Sequence, residues 1–106
     1  MTDCIFCKIA SGEIQTSKVF EDDKVVAFLD LHPKTAGHTL VVHKTHTKDL
    51  QNTPDEVLAE LMSRIKLIAE KQMKVNNASG FNLSVNNGQS AGQEIFHLHF
   101  HIIPRK

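Results

Sequence analysis

Long apolar runs are missing from this sequence. Of its 106 residues 41% are hydrophobic, yet no segment approaches the ~20 residues that a membrane-spanning helix needs. An excess of either charge is missing too. Twelve Lys and Arg balance 12 Asp and Glu, so general attraction to nucleic acid or to an acidic membrane surface is not expected. A specific anion site remains open, because a pocket needs local donors rather than net charge. The opening Met1-Thr2-Asp3-Cys4 has no basic segment followed by an apolar one, so no secretory signal is read and a cytoplasmic location is expected. Cysteine is scarce. Cys4 and Cys7, spaced C-x-x-C, suit a metal or redox role better than a structural disulfide in such a compartment. Repeats, low-complexity tracts and linkers are absent, and the length suits one domain, 1–106, with one modest core.

What is present is concentrated near the C-terminal end, in Gln93-Glu94-Ile95-Phe96-His97-Leu98-His99-Phe100-His101-Ile102-Ile103-Pro104. Over residues 96–102 apolar side chains and histidines alternate, the period of a β-strand with unlike faces. Phe96, Leu98, Phe100 and Ile102 are expected to enter a core, with His97, His99 and His101 in a row on the other face. A face that needed only solvation would carry Lys, Thr or Glu. Residues two apart on a strand lie about 6.6 Å apart, which spreads His97 to His101 over roughly 13 Å. Three in line would have to lean hard inward to meet on one ion. The row is better suited to a charged substrate, one ring attacking while neighbours hold oxygens or move protons near neutral pH.

The rest of the chain reads as short strands and one long helix. Residues 4–10 form a helical turn stopped by Ser11-Gly12. Residues 18–21 and 24–29 are strands around the acidic turn Asp22-Asp23, and 39–42 is a β-branched strand. Thr53, Pro54 and Glu56 predict a capped helix start. Leu58, Leu61, Met62, Ile65, Ile68 and Ala69 then share one face. Asn76 to Gly80 ends the helix. Phe81, Leu83 and Val85 alternate inward on the next strand, and Asn86-Asn87-Gly88 turns the chain toward a loop with a second glycine, Gly92. Such glycine-rich turns let backbone N–H groups converge on an anion. The fold class is therefore α+β with an antiparallel sheet.

His97-Leu98-His99-Phe100-His101-Ile102-Ile103 resembles the His-x-His-x-His-x-x signature of the histidine triad (HIT) superfamily of nucleotide hydrolases and transferases, phosphoramidases among them. The likeness extends, in the same order, to Cys4-Ile5-Phe6-Cys7-Lys8-Ile9, Phe20-Glu21-Asp22-Asp23, Ala27-Phe28-Leu29-Asp30, Gly37-His38-Thr39-Leu40-Val41-Val42, and Asn86-Asn87-Gly88 with Ala91-Gly92-Gln93. That covers nearly the whole chain.

The resemblance implies a five-stranded antiparallel sheet with one long helix and a short N-terminal helix, paired with a second subunit as a homodimer. It implies His99 as the nucleophile, with His101 and His38 contacting the phosphate. Asp30 would accept from ribose hydroxyls. Ile5, Phe6, Phe28 and Leu31 would enclose a purine, although by themselves they read as ordinary core. Asn86 and Gln93 would add side-chain amides to the phosphate site, and Glu94 stands where many relatives carry Ser or Thr. The implied activity is attack on the α-phosphate of a purine nucleotide derivative, either a nucleoside phosphoramidate or a dinucleoside polyphosphate. It would proceed through a nucleotidyl-histidine and release a nucleoside monophosphate. A nucleotide-binding regulatory module with incidental turnover is the alternative. A lone C-x-x-C is half a zinc site, a redox pair or two small core residues. By resemblance to bacterial relatives, Cys4, Cys7, His46 and His97 would hold one structural zinc.

Overall fold

The computed structural model describes residues 4–106. The Met1-Thr2-Asp3 opening, read above for a secretory signal, lies outside the described residues. A short helix α1 (Ile5–Ala10) precedes the hairpin β1 (Lys18–Glu21) and β2 (Val25–Leu29), then β3 (Thr39–His43). The long helix α2 (Asp55–Val75) follows, then β4 (Gly80–Ser84), a single 3-10 turn (Gln89–Ala91) and β5 (His99–Arg105). The strands form one sheet in the order β1-β2-β3-β5-β4, every pairing antiparallel. This is the five-stranded α+β arrangement that the resemblance implied.

The sheet is covered on both faces at its centre, which explains why four successive residues of β2, Val25 to Phe28, are all buried. Val25, Ala27, Val41, Phe100 and Ile102 face α2 and pack on Val57, Leu61, Ile65, Ile68 and Ala69. Val26, Phe28, Leu40 and Val42 face the other way and pack on Phe6 and Ile9 of α1. Fully burying one such aliphatic side chain contributes about 1.5–3 kcal/mol. In register, Val42 pairs with His99 and Leu40 with His101. Both histidines therefore stand on the α1 face. Asp22 shapes the first hairpin, its carboxylate accepting from the N–H groups of Lys24 and Val25 at 2.8 Å.

Several local expectations are corrected. The histidine strand begins at His99, not at Phe96. Leu98 N–H instead donates to the Thr47 carbonyl at 2.8 Å, so the run before His99 is tied to a loop rather than to the ladder. Phe96 is 39% exposed and does not enter the core. The Thr53 capping box does not form. Pro54 is the N-cap of α2, and the Thr53 hydroxyl is occupied by the Asp49 carbonyl and the Thr47 hydroxyl. Met62 is exposed, and Val57 supplies the first buried position of the helix stripe. Phe81 and Leu83 stay exposed because β4 is an edge strand that α2 covers only in part; of that alternating set, Val85 packs against the core. Among the described residues, no helix is long and apolar enough to cross a membrane.

Candidate active site and metal centre

A cavity of about 280 Å³ opens where α1, the end of β2 and the loop before β5 meet. Ile5, Phe6, Ile9, Phe28, Leu29, Leu31 and Leu40 make its apolar wall. Thr16, Asp30, His32, Asn86, Gly92, Glu94, His99 and His101 bring the polar groups. Ile5, Phe6, Phe28, Leu31, Asp30 and Asn86 are thus brought together around this one cavity. Gln93 does not line it. Buried at 3% exposure, its amide donates to the Lys48 and Ile95 carbonyls and accepts from Gly88 N–H. It staples the loop from within. Ile9, Leu29, Leu40 and Ile95 are wall residues that sequence reasoning did not pick out, because nothing distinguishes them from other apolar positions.

The histidines are ordered by backbone groups, and the hydrogen-bond network assigns their tautomers. His99 Nδ1 lies 2.9 Å from the His97 carbonyl. A carbonyl only accepts, so Nδ1 carries the proton and Nε2 keeps its lone pair. His38, 2% exposed, accepts the Lys34 N–H on Nδ1 at 3.1 Å, so its proton sits on Nε2. That nitrogen lies 3.0 Å from His101 Nδ1 and 3.5 Å from Asp30 Oδ2. His101 Nδ1 is then the acceptor and His101 Nε2 the proton carrier. His101 Nε2 is buried without a hydrogen-bond partner among the described residues. Asp30 is held by its own backbone N–H on the His38 carbonyl and by its Oδ1 on His32 N–H, both at 2.9 Å. Gly37 sets the approach to His38: its φ is +88°, and a Cβ there would collide with the Asn76 side chain.

Burial keeps these rings neutral. It lowers the pKa of His38 and of His99. Burial, with the neighbouring His99 and His38, brings His101 down to about 4. An imidazole with a free lone pair then sits beside a second that offers an N–H, both at the cavity wall. Phe6 stacks its ring edgewise on His99, centroids 4.9 Å apart, and shields the ring from water on that side.

Asp30, His38 and His101 also lie close enough together to suggest metal ligands. The tautomers argue otherwise: with Nδ1 accepting from Lys34, the His38 Nε2 has no lone pair to give. The second cluster is different. Cys4, Cys7, His46 and His97 place their donor atoms within 4.8 Å of one another. His97 Nδ1 is 3.4 Å from Cys4 Sγ and 3.5 Å from Cys7 Sγ, and Cys7 Sγ is 3.1 Å from His46 Nδ1. Zinc bonds of about 2.3 Å to sulfur and 2.05 Å to nitrogen put such pairs about 3.6 Å apart in a tetrahedron. His97 Nε2 donates to the His43 carbonyl at 2.8 Å, which leaves Nδ1 unprotonated toward the sulfurs. Sequence reading missed His43 and Glu60. His43 accepts from Thr45 N–H and pairs with Glu60 at 2.8 Å, fixing the segment between His43 and His46.

Residues 11–106 match the model of the HIT domain. The chain belongs to the HIT family. Adenylylsulfatase HINT3 of Arabidopsis thaliana is 47% identical over 98% of this chain and 53% of its own length. The chain thus spans about half of that relative. A solved zinc-bound histidine triad family protein from Mycobacterium smegmatis is 40% identical, with a TM-score of 0.93 over 98% of this chain and 76% of that one. A hypothetical histidine triad nucleotide-binding protein from Sulfolobus tokodaii is 43% identical, with a TM-score of 0.93 over 96% of this chain and 68% of that one. In this HIT chain the three histidines face two ways: His97 lies against the cysteines, and His99 and His101 line the cavity.

Proposed function

We propose that this HIT protein is a cytoplasmic hydrolase that transfers the nucleotidyl group of a purine nucleotide derivative to His99 and then to water. The observation that carries this reading is the His99 ring, pinned through Nδ1 to the His97 carbonyl at 2.9 Å, beside the unpartnered His101 Nε2. The Nε2 lone pair of His99 attacks the α-phosphorus. The bond to the leaving group breaks, its electron pair stays with the departing atom, and that atom takes a proton from solvent. His101 N–H holds a phosphate oxygen as negative charge shifts onto it, and His38 keeps that N–H in place. Water then attacks phosphorus and gives up a proton. The phosphorus–nitrogen bond breaks, its electrons return to His99, and a nucleoside monophosphate leaves. Asp30 accepts from the ribose, and Phe6, Phe28, Ile5 and Leu31 enclose the base. Phosphoramidates and phosphoric anhydrides both fit this chemistry, and the name of the Arabidopsis relative points to an adenylyl substrate.

Cys4, Cys7, His46 and His97 hold one structural zinc in this reading. The ion would tie α1 and the segment after β3 to the entry of β5, a cross-link over distant parts of the chain. The protein acts as a homodimer, a reading supported by the open β4 edge with Phe81 and Leu83 and by the exposed Met62, Leu67 and Val75 of α2. The deciding experiment is mass spectrometry of the intact protein quenched during turnover of an AMP derivative. A nucleotidyl adduct on His99 is expected. An adduct on another residue, or none under conditions of rapid turnover, would overturn the mechanism.

A further inference from the structure

The polar side of the cavity carries an unusual charge for a site that receives phosphate. Beside His32, His99 and His101, its wall contains two carboxylates, Asp30 and Glu94, and no lysine or arginine. Lys34 and Arg105 lie near enough to disfavour protonation of His38, yet neither reaches the wall. Asp30 is occupied, its Oδ1 by His32 N–H and its Oδ2 near His38. Glu94 is exposed and forms no hydrogen bond or ion pair among the described residues. It lines the cavity with Gly92 and Ile95 of the same loop. A nucleotide whose base rests on Phe6 and Phe28 and whose phosphorus faces His99 directs its leaving group away from the attacking nitrogen, roughly in line. Glu94 lines the same cavity as His99, so a group that departs within the cavity leaves in the field of its carboxylate.

We propose that Glu94 selects the leaving group: it favours nucleoside phosphoramidates whose departing amine carries a further positive charge and disfavours leaving groups that carry negative charge. The proposal rests on the nucleotidyl-transfer reading above and narrows its substrate class. Cleavage is the same for each substrate. The phosphorus–nitrogen bond breaks, the electron pair stays on nitrogen, and the amine leaves after taking a proton from solvent. Glu94 stays ionised and takes no part in bonding. It contributes through the field of one carboxylate in a partly solvated cleft, an effect of about threefold in rate for each unit charge on the leaving group and so about tenfold in the cationic-to-anionic ratio.

The test uses three adenosine 5′-phosphoramidates that differ only in the amine: N-(2-aminoethyl), cationic; N-propyl, neutral; and N-(2-carboxyethyl), anionic. kcat/KM is measured for each with the wild-type protein, Glu94→Gln and Glu94→Lys. Comparing the ratio of one substrate pair between two proteins cancels the intrinsic reactivity of the amines. The expected result is a cationic-to-anionic ratio that falls about tenfold in Glu94→Gln, equivalent to about 1.4 kcal/mol, and falls further in Glu94→Lys. Raised salt should narrow the wild-type ratio. A ratio that changes by less than about twofold in both variants overturns the proposal and leaves the hydrolase reading standing. Absence of turnover for all three substrates overturns that reading and the proposal together.

Discussion

His38 Nε2 lies 3.0 Å from His101 Nδ1, and this contact joins two neighbouring strands at the cavity. His38 directly precedes β3 and His101 sits in β5, whose register with β3 pairs Leu40 with His101. The tautomer is passed along the pair. Lys34 N–H fixes His38, His38 fixes His101, and His101 Nε2–H is left to meet an acceptor in the cavity.

His38→Ala should therefore slow the chemistry without removing the binding pocket. Loss of a group that orients a reacting neighbour costs about 10- to 100-fold, and here the loss should fall mainly on kcat. A change confined to KM would show that His38 serves binding alone.

His99→Ala should lower turnover by roughly 10³-fold or more, as expected for a nucleophile. Binding of AMP, read by calorimetry, should survive, because the apolar wall and Asp30 are untouched. Substantial residual hydrolysis in this variant would remove His99 from the nucleophile's role.

Elemental analysis should find about one zinc per chain, the stoichiometry of one four-ligand site. Cys4→Ser and His46→Ala should each lose the metal and lower Tm, while the wild-type protein treated with a strong chelator should show the same loss. Protein with no zinc, whose Cys4 and Cys7 are readily alkylated in the native state, would sink the zinc reading.

Stability should fall with acid. His101 titrates at about 4 in the folded chain but near 6.5 when unfolded. Between those values the unfolded state binds the extra proton, so stability is full above pH about 6.5 and declines as pH drops toward about 4. His38 and His99, also lowered by burial, add in the same direction. Thermal melts with chelator present throughout separate this from metal loss, and a Tm flat across the window would contradict it.

The open β4 edge predicts self-association. Light scattering at micromolar concentration should give the mass of a dimer, and Leu83→Asp should shift it toward the monomer. A monomeric wild-type protein would reject the homodimer.

How much of this was legible beforehand can be argued from single residues. The two-residue period placed His99 and His101 on one face, and the helix period placed Leu61, Ile65 and Ile68 together, because both are properties of local backbone geometry. The motif order sufficed to identify the family. Local pattern could not show that Phe96 lies outside the sheet or that Phe81 and Leu83 are exposed. Those depend on which segments are neighbours, and strand order is not written in any one strand. Gln93 matched its motif, but folding turned its amide onto the Lys48 and Ile95 carbonyls. Above all, the chemistry of each histidine hangs on which nitrogen holds its proton. That is decided by the His97 carbonyl for His99, the His43 carbonyl for His97 and the Lys34 amide for His38. The sequence by itself determined the rings and the face they share; only the tertiary structure, by bringing backbone groups up to each ring, decided which nitrogens are left to act.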